Sequence, residues 1–219
     1  MAYPAETVAG TGIGHLAAGL RMIRDRLKKL LKSRLGGMLP SPEVWAAEPT
    51  LGKGRPELPS GRKLERSVLA TVDEIVHACN RPGRLTLIHH WATWAPAVEA
   101  DVPLLVELHL GWAQHVDFIG ISWELLSGSP DLETAAVDVD SFHLSFGLTW
   151  RSLICQGTRD RLREAFHIRS ELLPQTVLRD RDGKIVYLQE GALDDGAMQA
   201  LEALIRGLTG QVDRPRVGF

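Results

Sequence analysis

Apolar positions along this chain follow two different periods, and the changes between them mark out elements. Leu16, Leu20, Ile23, Leu27, Leu30, Leu31 and Leu35 recur at spacings of three and four, which predicts an amphipathic helix ended by Gly36-Gly37. Residues 36–62 hold five Gly and five Pro in 27 positions, too many for a regular helix or a central strand. They read as a tether or an extended arm, and Trp45 with Val44, Ala46 and Ala47 favours an arm with one anchor point. Leu64, Val68, Leu69, Val72, Ile75 and Val76 then predict a helix over 64–78, stopped by Asn80-Arg81-Pro82-Gly83. Residues 84–91 are a short apolar run that suits a buried strand. A helix follows over 97–112, with Pro103 inside it and therefore an expected kink. Residues 116–123 read as a second buried strand, 127–130 as a loop and 132–146 as helix. A strand over 149–155 and a helix over 159–166 come next. Residues 175–178 and 185–188 flank a turn-rich stretch containing Asp182-Gly183, a hairpin signal. Met198, Leu201, Leu204 and Ile205 line one face of a closing helix over 193–208. The predicted order is α-β-α-β-α-β-α-β-β-α. It implies an α/β fold, with parallel pairing first and an antiparallel hairpin near the end. The predicted organisation is a basic amphipathic helix (1–35), a Gly/Pro-rich arm or linker (36–62), a folded domain (63–209) and a short tail (210–219).

Composition narrows the class. At 44% hydrophobic residues the 219-residue chain has enough apolar material for a core, which excludes disorder throughout. Two cysteines, Cys79 and Cys155, exclude a disulfide-stapled scaffold. No apolar run approaches the ~18 residues of a membrane span, and the first 15 residues lack a signal-peptide pattern, so a cytoplasmic location is expected. The net charge of −2 hides an asymmetry. Residues 1–62 carry ten Lys/Arg against five Asp/Glu, or +5, which leaves −7 on the remainder. Arg21, Arg24, Lys28, Lys29 and Lys32 lie in the first predicted helix and are candidate docking residues. That helix could fold onto its own acidic domain, dock on an acidic protein partner, or lie on a membrane surface. Nucleic acid is the weakest option, because no aromatic residue is interleaved with the cations.

The segment Trp91-Ala92-Thr93-Trp94-Ala95-Pro96-Ala97-Val98, with Pro103 five residues further on, resembles the active-site segment of the TlpA/ResA-like branch of the thioredoxin superfamily. That family reads W-A-T-W-C-x-x-C, then a helix with a proline five past the second cysteine. Leu173-Pro174-Gln175-Thr176 and the following Asp182-Gly183-Lys184 are similar to its cis-proline segment and hairpin. The resemblance covers roughly residues 64–208. It implies a thioredoxin-like fold, a cis Leu173–Pro174 bond, and a groove built from Trp94, Ala95, Pro96, Leu173 and Pro174. It also implies that His89 stands where the family has a buried polar residue behind its active site, and His90 where it has an apolar or aromatic core residue.

The departures from the pattern set the chemistry. Alanine and valine occupy the two cysteine positions, Ala95 and Val98. Dithiol chemistry needs a thiolate that attacks and a second thiol that resolves the mixed disulfide. Ala95 and Val98 supply neither, so no catalytic residue is expected at this site, and no metal or cofactor. Cys79 at a helix end and Cys155 at a strand end read as small buried hydrophobes, with a relocated redox pair or one reactive thiol as the alternatives. Thr93 keeps a hydroxyl, with no base beside it in sequence. His89 and His90 alternate across a strand and cannot chelate one metal together. His109 and His115 form no ligand spacing with them. Asp180 and Asp182 read as turn residues. The expected function is a redox-inactive binding or assembly module, or a subunit of a larger complex, using the groove or the N-terminal helix and arm. The alternative is a thiol-disulfide oxidoreductase or peroxidase-like enzyme that uses Cys79 or Cys155.

Overall fold

A computed structural model describes residues 58, 64, 66–126 and 131–210. The predicted N-terminal helix with Arg21, Arg24, Lys28, Lys29 and Lys32 lies outside the described residues, as do the arm apart from Leu58 and the last nine positions. Leu58 is buried in the same apolar cluster as the sheet and helix residues that follow.

Among the described residues, six strands and five helices follow one another as β1 (Ser67–Thr71), α1 (Val72–Cys79), β2 (Leu85–Trp91), α2 (Val98–Trp112), β3 (Val116–Ser122), α3 (Leu132–Phe146), β4 (Ser152–Gln156), α4 (Arg159–Phe166), β5 (Gln175–Arg179), β6 (Ile185–Glu190) and α5 (Asp195–Thr209). A short 3-10 turn, Glu124–Leu126, follows β3. The strands form one sheet in the order β1-β4-β3-β2-β5-β6. The pairs β1/β4, β4/β3 and β3/β2 are parallel, while β2/β5 and β5/β6 are antiparallel.

The start of the domain corrects the sequence reading. The helix expected over 64–78 is a strand followed directly by a helix. Thr71 ends β1 and also caps α1: its hydroxyl accepts Glu74 N–H, and Glu74 reaches back to Thr71 N–H. Val68, Leu69, Val72 and Ile75 satisfy a helical period across this junction by coincidence. Burial of Ser67 through Ala70 against β4 decides the strand. The order therefore begins with β rather than α. The later elements stand within three residues of expectation. The strand expected over 149–155 runs Ser152–Gln156, and α3 is a single helix ended by Gly147 in the left-handed conformation. Pro103 lies inside α2 as expected.

α1 and α4 lie over one face of the sheet. There Arg179 of β5 stacks on Phe166 of α4 and donates to Asn80 Oδ1, just after α1, at 2.5 Å. α2 and α3 lie over the other face, where Asp101 of α2 faces His89 of β2 at 4.0 Å and His143 of α3 bonds Ser152 of β4. β2 is buried on both faces over all seven residues, as a central strand of a two-sided sheet must be.

Candidate functional site: the end of β2 and the start of α2

β2 runs out at Trp91, and the chain turns through Ala92–Ala97 into α2. Two contacts fix this turn. Trp123 N–H donates to Trp91 O at 2.8 Å. The Glu124 carboxylate accepts both Thr93 N–H (3.0 Å) and Thr93 O–H (2.8 Å). The acceptor beside Thr93 thus exists, supplied by the end of β3 rather than by a sequence neighbour. Trp91 is anchored from the side: its indole N–H donates to Ser152 Oγ at 3.1 Å, and His143 Nε2 lies 2.8 Å from the same oxygen. Gly120 leaves room for this meeting, since a Cβ there would stand 2.1 Å from Ser152 Oγ.

Ala95 and Val98 are both buried, at 3% and 2% exposure. Val98 N–H donates to Ala95 O in the opening turn of α2, whose Ala97 cap has no side-chain bond. A cysteine at position 95 would meet helix N–H groups, whereas the alanine presents a methyl. The two thiols of the chain lie elsewhere. Cys79 ends α1 and Cys155 is in β4, both buried and unbridged. Burial pushes each thiol up to about 12, against a small opposing pull from Arg179 on Cys79 and from Arg161 on Cys155.

The Leu173–Pro174 bond is cis, as the resemblance implied. The loop that carries it is tied down on all sides. Gln175 Nε2 donates to Ser170 O (3.0 Å) and Leu172 O (2.8 Å), and Gly191 N–H donates to Pro174 O (2.9 Å). Glu171 is held by Arg159 at 2.6 Å and Arg163 at 3.2 Å. Leu173 shares a buried cluster with Ala95 and Val98. Of the five groove residues expected from sequence, Trp94 and Pro96 reach the surface, while Ala95, Leu173 and Pro174 are buried beneath it. The exposed apolar side chain on the proline loop is Leu172 (58%), which pattern reasoning missed; Trp94 (48%) is its counterpart on the other segment.

His89 and His90 point to opposite faces, as strand alternation requires. His90 Nδ1 accepts the Trp123 indole N–H at 3.1 Å, and its ring packs edge-on to Phe166. His89 joins a polar chain that the sequence did not reveal. Its Nδ1 lies 3.1 Å from Thr176 Oγ1, and its Nε2 lies 4.0 Å from Oδ2 of the fully buried Asp101. Asp101 Oδ1 accepts Leu193 N–H at 2.7 Å. Burial drives both histidines down to about 3. It drives Asp101 up to about 7, opposed by the Leu193 hydrogen bond. A sequence signal for Asp101 was available: it is an acid on the stripe Val98, Val102, Leu105, which α2 buries. His109 binds Thr149 Oγ1 at 2.8 Å against Phe118 and Trp150, a structural role. Asp180 accepts Asp182 N–H and Lys184 N–H in the hairpin turn, as expected of a turn residue.

No protein-family model and no curated protein sequence matches the chain. Similar solved structures are a thiol-disulfide isomerase from Corynebacterium glutamicum, StoA from Bacillus subtilis, and a secreted Mycobacterium tuberculosis disulfide oxidoreductase. The first is 19% identical, covering 62% of this chain and 86% of its own, at TM-score 0.49. StoA is 19% identical over 56% and 83%, at 0.42. The third is 17% identical over 60% and 87%, at 0.45. The strand order, the W-A-T-W turn into α2 and the cis-proline ahead of β5 give this chain a thioredoxin-like fold.

Proposed function

We propose that this protein is a redox-inactive thioredoxin-like binding or assembly module. In this reading it holds an extended segment of a partner protein against the surface flanked by Trp94 and Leu172. One observation carries the reading: the two positions where a dithiol would act hold buried Ala95 and Val98, while Trp94, the chain neighbour of Ala95, and Leu172, the chain neighbour of Leu173 in the same buried cluster, stay exposed. A large aromatic side chain on a rigid turn is the kind of group that dominates binding energy at protein interfaces. Cys79 and Cys155 do not replace the dithiol, because thiols held near 12 and shielded from solvent supply almost no thiolate at neutral pH.

Two measurements test it. Insulin reduction by the full chain should stay at the uncatalysed rate, with or without a reducing partner. A panel of cysteine-free, extended apolar peptides should contain binders that Trp94→Ala weakens at least tenfold, about 1.4 kcal/mol, without changing Tm. Catalytic turnover that disappears in a Cys79→Ser/Cys155→Ser variant would establish the oxidoreductase reading instead.

A further inference from the structure

Two buried polar atoms that face each other lack a hydrogen-bond partner: Nε2 of His89 and Oδ2 of Asp101, 4.0 Å apart. The other polar atom of each group is engaged, His89 Nδ1 with Thr176 Oγ1 and Asp101 Oδ1 with Leu193 N–H. An unpaired buried donor or acceptor is costly, and more so for a charged group. At 4.0 Å the two atoms are too far apart for a direct hydrogen bond, and an approach by about 1 Å with one proton between them would satisfy both.

That proton has two positions, and each sets a different direction along the chain. With Asp101 protonated, its O–H donates to Nε2. The ring proton then sits on Nδ1 and is donated to Thr176 Oγ1. With Asp101 ionised, Nε2 carries the ring proton and donates to Oδ2. Nδ1 becomes an acceptor, and Thr176 O–H donates to it. The two states differ by one proton released to solvent. We propose that Asp101, His89 and Thr176 form a proton-operated switch, in which gain or loss of one proton reverses the hydrogen bond to Thr176, two residues past Pro174.

The surroundings leave the switch to these groups. β3 presents Gly120 opposite His89, with no side chain. β5 presents Thr176, with Arg179 further along the strand on the other face. β2 itself places His90 on the opposite face, where it senses both His89 and Arg179. α2 contributes Asp101 and, in the same first turn, Glu99. The loop into α5 contributes the Leu193 N–H, followed by Asp194, whose carboxylate is occupied in capping Ala197 N–H at 2.7 Å. Burial holds Asp101 near 7 and His89 far below it, so the change falls close to neutral pH and the imidazole stays neutral on both sides of it.

The test is a titration of the full chain uniformly labelled with 15N, which reports both the histidine ring nitrogens and the backbone amides, followed by NMR from pH 5 to pH 9. His89 should exchange its protonated nitrogen, Nδ1 at pH 5 and Nε2 at pH 9. The Leu193 and Thr176 amides should move with the same midpoint. Asp101→Asn keeps an oxygen for Leu193 N–H and removes the titration, so all three responses should vanish. Thr176→Val should keep the tautomer exchange and lose the response of the amide at position 176. A single His89 tautomer across the range in the unaltered chain overturns the proposal, as does an exchange that survives Asp101→Asn. A tautomer exchange that leaves the Thr176 amide unmoved overturns the reversal of the hydrogen bond to Thr176.

Discussion

At position 95, alanine and cysteine differ by one sulfur atom, and that atom decides which chemistry the start of α2 can host. Helix N–H groups and the dipole stabilise a thiolate there, but they do nothing for a methyl group. The two thiols the chain does carry are in the opposite situation, inside the apolar layers and far from ionisation. We therefore expect both Cys79 and Cys155 to resist an aromatic disulfide reagent at pH 8 in the native chain and to react fully once denaturant is added. Fast stoichiometric labelling of either cysteine without denaturant would contradict their buried placement. The converse substitution tests the site itself. Ala95→Cys/Val98→Cys places an attacking and a resolving thiol at the helix start, and insulin reduction should rise clearly above the unaltered chain. A folded, dithiol-bearing double variant with no turnover would show that the surroundings of positions 95 and 98 have also lost what catalysis needs.

Where elements meet, one missing side chain holds two strands and a helix together. Gly120 in β3 leaves space for Ser152 of β4, whose hydroxyl joins the Trp91 indole of β2 to His143 of α3. Gly120→Ala would push a methyl into that oxygen. The expected cost is about 1–3 kcal/mol of overpacking, plus the loss of buried hydrogen bonds. A clear fall in Tm and in the denaturant midpoint should follow, whereas an unchanged midpoint would mean the network moves aside freely. The same elements show why parts of the fold were legible in sequence. β2 follows Asn80-Arg81-Pro82-Gly83, β5 and β6 flank a turn with Asp182-Gly183, and α3 ends on Gly147, so local chemistry fixes these limits. β1 was not legible, because strand passes into helix at Thr71 with no break and its apolar spacing fits either period. The W-A-T-W turn and the proline loop could be read from residue types alone. The polar chain could not. His89 lies 12 residues from Asp101, Thr176 lies 87 residues from His89, and the Leu193 N–H lies 92 from Asp101, so the fold alone brings them together.

Taken as a whole, the molecule carries an imbalance of buried ionisable groups that fixes how it responds to acid. Burial lowers His89 and His90 to about 3, and His109 and His143 to about 4. Each binds its proton near 6.5 once unfolded. A group whose folded pKa lies below its unfolded one favours folding while it is neutral in both states, and that advantage is lost as pH falls below about 6.5. Asp101 has the opposite sign. Its raised pKa lets the folded chain keep a proton that the unfolded chain has released between about 4 and 7, so its contribution declines as pH rises through that window. Near pH 5 the unfolded chain thus gains four protons on these histidines, and the folded chain keeps one on Asp101. The difference is three, since His89 and Asp101 cancel. At about 1.4 kcal/mol per proton per pH unit, stability should fall by at most about 4 kcal/mol for each unit of acidification. For a domain of this size that corresponds to a drop in Tm on the order of 10 °C between pH 6 and pH 5. Thermal unfolding from pH 8 to pH 4.5 measures it directly. His109→Gln, which removes one of the three uncompensated histidines, should reduce the slope by about a third. A Tm that stays flat or rises toward pH 5 would mean that these imidazoles are reached by water and protonate without unfolding the chain.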